Sequence, residues 1–452
     1  MKSIVHADKV LQGVTVIIED LKSHPKCPHG PTLLFSRENQ RKFYACAACR
    51  DRKLCSFFLW QDELNKLSQS KLEVWEKERK KFLKGINHKK RFIMLNKIKA
   101  LLPNKRTFCQ TCSMFTLEHE NKHVEHSLLS NITDYQLEHP SEIMPALENA
   151  KKEAQYLFSK ESVQFIVNTF LELKYKHVIC IGTPRIHEYI QSNVKTLSSI
   201  LLDIDDRFHN FFGPLDFCWY NSFNNHFFFE EAKQVFEDFL KGTNNKDTVL
   251  ITDPPFGGRI EPLAQTFSAI SAQYGKNKLP MFWIFPYFME PQILNSFSDF
   301  QMLDYKVLYD NHSLFQNGPK GRKQGSPVRI FTNISPSLIK LPNDLYKFCQ
   351  DCNKWVSNEN KHCKVCQDCT SKNGQTYAHC NKCRRCVKPN WQHCFKCNRC
   401  AQQDHKCGNI LFSGVCLNCN KKGHKKLQCP LLNNTKKRKS KFKQAANKKL
   451  KH

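Results

Sequence analysis

The tetrapeptide Asp253-Pro254-Pro255-Phe256 follows the apolar run 248–252, so a carboxylate, a carbonyl and an aromatic ring come at the end of a predicted strand. An amino group conjugated with a heterocyclic ring is a poor nucleophile, because its lone pair is delocalised. Asp253 and the carbonyl of Pro254 can accept its two N–H hydrogens and turn the lone pair out of the ring plane. The prolines fix the backbone and remove competing N–H donors, while Phe256 can stack on the ring. The pattern predicts a site that activates a ring-bound amine.

A strand that ends in Asp-Pro-Pro-aromatic resembles the catalytic loop of the amino-methyltransferases, which methylate the exocyclic amine of adenine or cytosine in a flipped base. The resemblance implies that the catalytic residues are Asp253, Pro254, Pro255 and Phe256. The alternative interpretation is an ordinary turn between a strand and a loop, since Asp-Pro commonly initiates turns.

Residues 150–335 alternate strand-like and helix-like segments, which is typical of a wound α/β sheet. The predicted strands are 177–181, 199–204, 217–220, 248–252, 281–285, 302–308 and 328–332, and the main helices are 162–173, 184–195, 230–240 and 261–274. Seven strands with a hairpin-like pair at the end resemble the class I S-adenosylmethionine-dependent methyltransferase fold, a Rossmann-like sheet. The resemblance implies S-adenosylmethionine as the cofactor.

Cofactor candidates follow the strand ends, where wound α/β sheets bind ligands. The first strand leads into Gly182, a single glycine that departs from the Gly-x-Gly loop of the fold, and Arg185 could bind the methionine carboxylate instead of backbone amides. The second strand ends in Asp203 and Asp205, either of which could hold the ribose hydroxyls or simply cap a helix. The other candidates are Phe223 and Asn224 beside the adenine, the closing segment Gln155, Tyr156, Leu157 and Phe158, and Asp253.

The chain has 23 cysteines, mostly in Cys-x2-Cys pairs with histidines nearby. Without a recognisable signal peptide, such clusters indicate Zn²⁺ sites, about seven here, rather than disulfides. Cys180 and Cys218 lie outside the clusters in apolar segments and are predicted to pack in the core.

The first cluster spans residues 20–64 and resembles a GRF-type zinc finger, a module of nucleic-acid enzymes, although Gln40 replaces the family's glycine. Cys49 competes with Cys46 as a ligand. The predicted tetrahedral set is Cys27, His29, Cys46 and Cys55. The aromatic residues Phe57, Phe58 and Trp60 either stack on bases or form the small core of the finger.

A basic segment, 65–104, is predicted to be helical and to lead to a C2H2-type finger at 105–130. In this finger His119 is a spare ligand. The predicted set is Cys109, Cys112, His123 and His126.

A Cys/His-rich repeat fills residues 345–408 and resembles the cysteine-rich domain of the DHHC palmitoyltransferases. It lacks their Asp-His-His-Cys tetrapeptide, and the chain lacks their membrane helices, so a zinc scaffold with a basic surface is expected. Its order does not reveal which residues share a metal. The twelve cysteines and four histidines are Cys349, Cys352, His362, Cys363, Cys366, Cys369, His379, Cys380, Cys383, Cys386, His393, Cys394, Cys397, Cys400, His405 and Cys407.

Residues 414–431 have the spacing of a retroviral-type CCHC knuckle, a module for single-stranded nucleic acid, with the ligands Cys416, Cys419, His424 and Cys429. The basic tail 432–452 is predicted to be disordered and to act as a nuclear or nucleolar address.

The formal net charge of +29 indicates a polyanionic partner, RNA or DNA rather than a membrane surface. The longest apolar run, 280–288, is too short to cross a bilayer. In the order of its modules the chain resembles the CCHC-finger large-subunit ribosomal RNA adenine-N6 methyltransferases of animals. That resemblance implies an adenosine of the large-subunit (28S) ribosomal RNA as target, a nuclear or nucleolar location with the cytoplasm also open, and no membrane partner; other structured RNA remains open as a partner.

Three alternatives remain at this stage. A non-catalytic RNA-binding adaptor with a degenerate core would explain the single glycine at Gly182. Methylation of glutamine side chains or cytosine amines uses related tetrapeptides, although the basic charge and the zinc clusters favour nucleic acid. Palmitoyl transfer is the least compatible with the sequence.

Overall fold

The computed structural model describes residues 14–37, 41–49, 52–117, 123, 125–146, 155–243, 246–275, 277–312, 325–405 and 407. The chain has two compact units: one comprises 16–35 and 41–376, and the other comprises 1–15, 36–40 and 377–452. The predicted CCHC knuckle at 414–431 and the tail at 432–452 lie outside the described residues. Among the helices that are described, none has the length and hydropathy needed to cross a membrane.

The N-terminal part is a small β module followed by two helices. Its core is the antiparallel sheet of β4, β5 and β6, and β2 pairs with β3 as a short hairpin. The side chains of Ser68 and Asn87 cap the two helices by accepting hydrogen bonds from the backbone N–H groups of Lys71 and Lys90 in their first turns. The elements are β1 (Val14–Ile17), β2 (Lys26–Cys27), β3 (Gly30–Pro31), β4 (Leu33–Arg37), β5 (Phe43–Ala45), β6 (Phe58–Trp60), α1 (Gln69–Leu83) and α2 (His88–Lys99).

The second finger is a three-stranded sheet in the order β8-β7-β9, followed by a short helix with a complete capping box at Thr133 and Gln136. Phe108 and Phe115 pack on Phe211 of the central core, with ring centroids 5.5 and 5.2 Å away. The finger is therefore continuous with that core. Its elements are β7 (Thr107–Cys109), β8 (Met114–Thr116), β9 (Leu128–Ser130) and α3 (Asp134–Glu138).

The unit that comprises 16–35 and 41–376 has at its centre an eight-stranded sheet in the order β13-β12-β11-β10-β14-β15-β17-β16. The pairs from β12 to β15 are parallel, whereas β13 and β17 run antiparallel to their neighbours. The strands are β10 (His177–Ile181), β11 (Ser198–Asp203), β12 (Phe217–Asn221), β13 (His226–Phe227), β14 (Thr248–Thr252), β15 (Met281–Pro286), β16 (Gln301–Leu303) and β17 (Val328–Thr332). The helices are α4 (Lys160–Glu172), α5 (Pro184–Asn193), α6 (Glu230–Lys241), α7 (Ile260–Tyr274) and α8 (Glu290–Ser296).

Helices cover both faces of the sheet, which explains the continuous apolar runs of its strands. In β10, Val178 and Cys180 point into one cluster of buried side chains, together with Val163 of α4. Ile179 and Ile181 point into the other cluster, which includes side chains of α6 and α7. Cys180 and Cys218 are both buried in this core.

The predicted mixed α/β architecture is confirmed, with two differences. The sheet has an eighth strand, β13, which is too short to give a sequence signal. The prediction of a strand over 302–308 was wrong in its extent, because β16 ends at Leu303. The buried carboxylate of Asp304 instead accepts hydrogen bonds from the Ser357 amide and the Asn360 side chain, at 2.8 and 3.0 Å.

Antiparallel hairpins follow the central sheet. The hairpin of β18 (Tyr346–Cys349) and β19 (Lys354–Ser357) belongs to the same unit as the sheet. The other unit contains the hairpins of β20 (Ala378–Cys380) with β21 (Arg385–Val387) and of β22 (Trp391–Cys394) with β23 (Arg399–Gln402). Their turns place Asn353, Arg384 and Asn398 at positive φ.

The first finger is fixed to the central sheet by its own backbone. The carbonyl of His29 accepts hydrogen bonds from the side-chain amides of Asn221 and Asn224, at 2.9 and 3.0 Å. Gly30 has φ +96°, and a Cβ added there would lie 2.3 Å from the His226 ring. The contact therefore requires glycine at this position.

We expect Gly30→Ala to lower the free energy of unfolding more than Gly85→Ala does. Both glycines have positive φ, but an added Cβ at Gly85 has nothing within 4 Å. Backbone strain alone costs about 1–3 kcal/mol, and only Gly30→Ala adds a clash with the ring of His226. Chemical denaturation of the zinc-loaded protein would measure both variants; equal losses would contradict the close contact between finger and sheet.

Candidate active site and metal centres

Three predicted site residues leave the sheet side by side. Ile181 of β10 pairs with Leu202 of β11 and with Thr252 of β14. The residues that come next are Gly182, Asp203 and Asp253. Gly182 has φ +63°, and a Cβ there would lie 3.4 Å from the carbonyl oxygen of Asp253. The cofactor candidates and the catalytic candidate therefore meet at one sheet edge.

The carboxyl group of Asp253 is held from one side only. Its Oδ2 accepts a hydrogen bond from the Tyr309 hydroxyl at 3.0 Å. Its Oδ1 is buried and has no hydrogen-bond partner among the described residues. Burial raises the pKa of Asp253 well above its ordinary value, and the bond from Tyr309 opposes that rise. One buried acceptor thus remains available for a ligand.

The loop after Asp253 leaves a second acceptor. The Gly258 amide donates to the Pro255 carbonyl at 2.6 Å and closes a turn. No backbone N–H group of the described residues donates to the carbonyl of Pro254. A Cβ at Gly258 would lie 2.8 Å from both the Phe223 ring and the Pro255 oxygen, so the turn packs closely against Phe223.

Aromatic rings surround this pair of acceptors. The ring of Phe256 lies 6.1 Å from Tyr156 in a stacked arrangement, 5.9 Å from Phe285 and 6.2 Å from Tyr309. The ring of His312 lies 4.1 Å from Tyr156. An aromatic enclosure of this kind suits a flat heterocycle.

The predicted closing segment 155–158 pairs with residues 308–311. Phe158 forms a β-bridge with Tyr309, and the Asp310 amide donates to the Leu157 carbonyl at 2.9 Å. Arg185 donates to the Phe158 carbonyl at 2.6 Å and forms ion pairs with Asp310 and, at 3.5 Å, with Glu142. The guanidinium is therefore engaged by the protein rather than open to a carboxylate of the cofactor.

The two acidic candidates after β11 differ in their surroundings. Asp205 forms an ion pair with Arg207 at 2.7 Å and accepts a hydrogen bond from the Gln155 amide at 2.6 Å. Asp203 instead accepts a hydrogen bond from the Asp205 amide through Oδ1 at 2.9 Å. Burial, and then the nearby Asp205 carboxylate, raise the pKa of Asp203 to about 7. Asp203 is the better candidate for a ligand contact.

The side chain of Asn224 is hydrogen-bonded to the first finger. Its amide donates to the carbonyls of His29 and Pro31, at 3.0 and 2.7 Å, so this donor is not free to contact a cofactor adenine. Phe223, in contrast, lies beside the turn at Gly258.

The first finger has a preformed metal-binding group, and its ligand atoms lie within 4.8 Å of one another. A tetrahedral Zn²⁺ places its ligands about 3.5 Å apart, and Cys46 Sγ lies 3.5 Å from His29 Nδ1. The backbone amide of Cys49 donates to the Cys46 sulfur at 3.3 Å, which supports Cys46 as the ligand. The group is Cys27, His29, Cys46 and Cys55.

The aromatic residues of this finger divide between its two sides. Phe57 is buried and packs on Trp75 of α1, with ring centroids 4.6 Å apart. Phe58 and Trp60 lie half-buried on the other side, where Arg52 and Arg41 each stand 4.7 Å over one ring. The finger therefore has both a small core and an aromatic face with two arginines, of which Arg41 is paired with Asp62 and Glu63. Such a face could stack on bases.

The second finger brings together its predicted ligands; Cys112 Sγ lies 3.2 Å from His126 Nδ1. The group is Cys109, Cys112, His123 and His126. The spare ligand, His119, lies outside the described residues.

The Cys/His-rich repeat forms further groups in which ligands come from successive repeats. In the unit of the central sheet the group is Cys349, Cys352, His362 and Cys369. In the other unit one group is Cys380, Cys383, His393 and Cys400, and a second is formed by Cys394, Cys397, His405 and Cys407, with sulfur contacts of 3.2–3.3 Å.

The remaining ligand candidates of the repeat lie in both units: Cys363 and Cys366 in one, and His379 and Cys386 in the other. The Cys366 amide donates to the Cys363 sulfur at 3.4 Å, and Cys386 Sγ lies 3.9 Å from His379 Nδ1. The ligands Cys416, Cys419, His424 and Cys429 of the predicted knuckle lie outside the described residues.

Comparison with known proteins agrees with this geometry. Residues 149–333 match the family model described as probable N6-adenine methyltransferase, and residues 25–64 match the GRF zinc finger. The chain is 47% identical to the rRNA N(6)-adenosine-methyltransferase ZCCHC4 of Xenopus tropicalis, over 92% of this chain and 89% of that protein. The same-named protein of Homo sapiens is 45% identical, over 90% and 82% of the two chains, and that of Bos taurus is 46% identical, over 94% and 86%.

The chain belongs to this methyltransferase family. The resemblance inferred from the order of the modules is thereby confirmed, as is the GRF-type finger.

Several site residues could not be recognised in the sequence. Tyr309 and His312 follow a segment predicted as an ordinary strand, and Phe285 was predicted only as part of a buried strand. Arg207, which binds both Asp205 and Gln155, lies in a short turn after β11. Their role depends on contacts between distant segments, for which a single sequence has no local signal.

We expect Cys46→Ser to remove one zinc ion per chain, whereas Cys49→Ser retains it. Cys46 is part of the four-ligand group, and Cys49 supports it through a backbone amide that serine keeps. Metal content of the purified protein, measured by elemental analysis, distinguishes the two. Loss of zinc from Cys49→Ser alone would reverse the assignment.

Proposed function

We propose that this protein transfers a methyl group from S-adenosylmethionine to N6 of an adenosine in large-subunit (28S) ribosomal RNA. Its relatives are named rRNA N6-adenosine methyltransferases, and the methyltransferase match covers the central sheet. The observation that carries the proposal is Asp253 Oδ1, a buried acceptor with no hydrogen-bond partner among the described residues, next to the Pro254 carbonyl and the ring of Phe256.

The residues at the sheet edge fit S-adenosylmethionine. The strand order from β12 to β16 supports a class I methyltransferase sheet, extended by β13. The carboxyl group of Asp203 can accept a hydrogen bond from a ribose hydroxyl, and the left-handed backbone at Gly182 leaves room beside Asp253. The segment 155–158 would close over the cofactor, which supplies an electrophilic methyl group on a sulfonium.

The residues of the loop would activate the amine. Asp253 Oδ1 and the Pro254 carbonyl accept its two N–H hydrogens, so the nitrogen lone pair turns out of the purine plane. Phe256 stacks on the base and fixes its plane. Both acceptors are preorganised in a buried site, where such hydrogen bonds are stronger than in water. The amine loses its proton after transfer, so no separate general base is required.

Ribosomal RNA is the proposed partner, and other structured RNA is compatible with the same surfaces. The net charge of +29 and the aromatic face of the first finger, with its two arginines, support binding to a polyanion. About seven zinc ions would be bound, one for each Cys/His set of four ligands. The basic tail supports a nuclear and nucleolar location, with the cytoplasm as a further compartment.

We expect Asp253→Ala to reduce methyl transfer more than about 100-fold, because it removes an acceptor that acts on the amine itself. Affinity for S-adenosylmethionine should stay within a few-fold of wild type. N6-methyladenosine is measured by mass spectrometry of digested ribosomal RNA after incubation with a labelled donor. Asp238→Ala, on the exposed surface of α6, is the control and should remain active; wild-type turnover by Asp253→Ala would refute the function.

We expect Asp203→Asn to weaken binding of S-adenosylmethionine about 10- to 100-fold, as for a lost hydrogen bond to a charged group. Asp205→Asn should instead lower the melting temperature, because it breaks a buried ion pair with Arg207. Isothermal titration and thermal unfolding of both variants make the comparison. Absence of binding heat in the wild-type protein would favour a non-catalytic RNA-binding adaptor.

A further inference from the structure

We propose that Tyr309 is a positioning residue for methyl transfer: its hydroxyl holds one oxygen of Asp253 so that the other oxygen faces the substrate amine. The inference rests on the proposed function and assigns a role within the same site. It concerns a residue that is distant in sequence from the catalytic loop and is not part of the Asp-Pro-Pro-Phe motif.

One hydrogen bond, from Tyr309, fixes the orientation of the Asp253 carboxyl group. The hydroxyl of Tyr309 donates to Oδ2 at 3.0 Å, and the Tyr309 side chain is almost completely buried. Among the described residues, Asp253 has no other polar side-chain partner, and Oδ1 accepts nothing. A carboxylate that rotated about its Cβ–Cγ bond would lose this hydrogen bond, so the bond selects the orientation in which Oδ1 is presented.

The same bond opposes protonation of Asp253. A buried carboxyl group favours the neutral state, and a neutral group would use one oxygen as a donor. A hydroxyl that donates to the carboxylate opposes that tendency. The other titratable groups of the facing segments are Tyr156, Asp310 and His312; none of them is hydrogen-bonded to Asp253, and Asp310 is paired with Arg185.

Tyr309 is itself fixed by the segment predicted to close over the cofactor. The β-bridge to Phe158 and the bond from the Asp310 amide to the Leu157 carbonyl hold its backbone on both sides. Arg185 then joins the two segments by contacting Phe158 and Asp310. The position of the hydroxyl therefore depends on the same segment that would contact the cofactor.

The test is Tyr309→Phe, which removes the hydroxyl and keeps the ring. We expect kcat to fall about 10- to 100-fold, the range for a lost hydrogen bond to a charged group, with unchanged affinity for S-adenosylmethionine and RNA. The bond lowers the pKa of Asp253, so its loss raises that pKa. If ionised Asp253 is required, the acidic limb of the kcat–pH profile moves to higher pH in the variant.

Tyr305→Phe is the matched control. Tyr305 is also a buried tyrosine and precedes this segment by a few residues, but its ring stacks on Phe165 at 3.8 Å. Removal of the Tyr305 hydroxyl should leave the acidic limb of the kcat–pH profile at its wild-type position. If Tyr309→Phe has wild-type kcat and an unmoved profile while Asp253→Ala is inactive, the role of Tyr309 is refuted and the proposed function stands. If Asp253→Ala is active, the proposed function itself fails.

A second measurement keeps the test decisive if Tyr309→Phe folds poorly. Replacement of Tyr309 by a fluorotyrosine retains the ring and makes its hydroxyl a stronger donor. The acidic limb should then move to lower pH, opposite to the effect of phenylalanine. A shift in the same direction for both replacements, or none for fluorotyrosine, would overturn the proposal.

Discussion

The register in which β10 pairs with β11 on one side and β14 on the other is the constraint on which the site depends. Ile181 opposes Leu202 and Thr252, so the three residues that follow reach the same edge together. These strands are buried on both faces, and a slip of one residue would exchange the side chains of the two clusters. Packing of the apolar core therefore also fixes the distances between polar residues at its edge.

At this edge of the sheet, a buried oxygen of Asp253 has no hydrogen-bond donor among the described residues. A buried polar atom without a partner costs about 1–3 kcal/mol, and within the described part of the chain Asp253 Oδ1 is such an atom. Parts of the chain that are far apart in sequence hold it in place: the strand end at Thr252, the turn closed by Gly258, and the segment that contains Tyr309. A substrate amine that donates to this oxygen would recover a cost already incurred on folding.

The sequence predicted the elements that depend on local pattern. The bounds of β10, β14 and β17 agree with the predicted strands, because each is an apolar run between polar segments. It did not predict that Asp304 leaves β16 to bind Ser357, or that the side-chain amide of Asn224 donates to the first finger. It also left Asp203 and Asp205 equivalent, and only their contacts with Arg207 and Gln155 distinguish them. Each of these outcomes depends on tertiary contacts between distant residues.

The ligands of the last two four-ligand groups alternate along the chain, which has a consequence for metal binding. His393 and Cys394 are neighbours in the chain but belong to different four-ligand groups, and Cys400 of the first group lies inside the loop that closes the second. If a metal ion were bound by only one of these groups, the turn that carries the ligands of the other group would have no metal to hold it. Metal bound at either group would therefore restrain backbone that the other group also uses, so the two groups are linked through the chain that connects them.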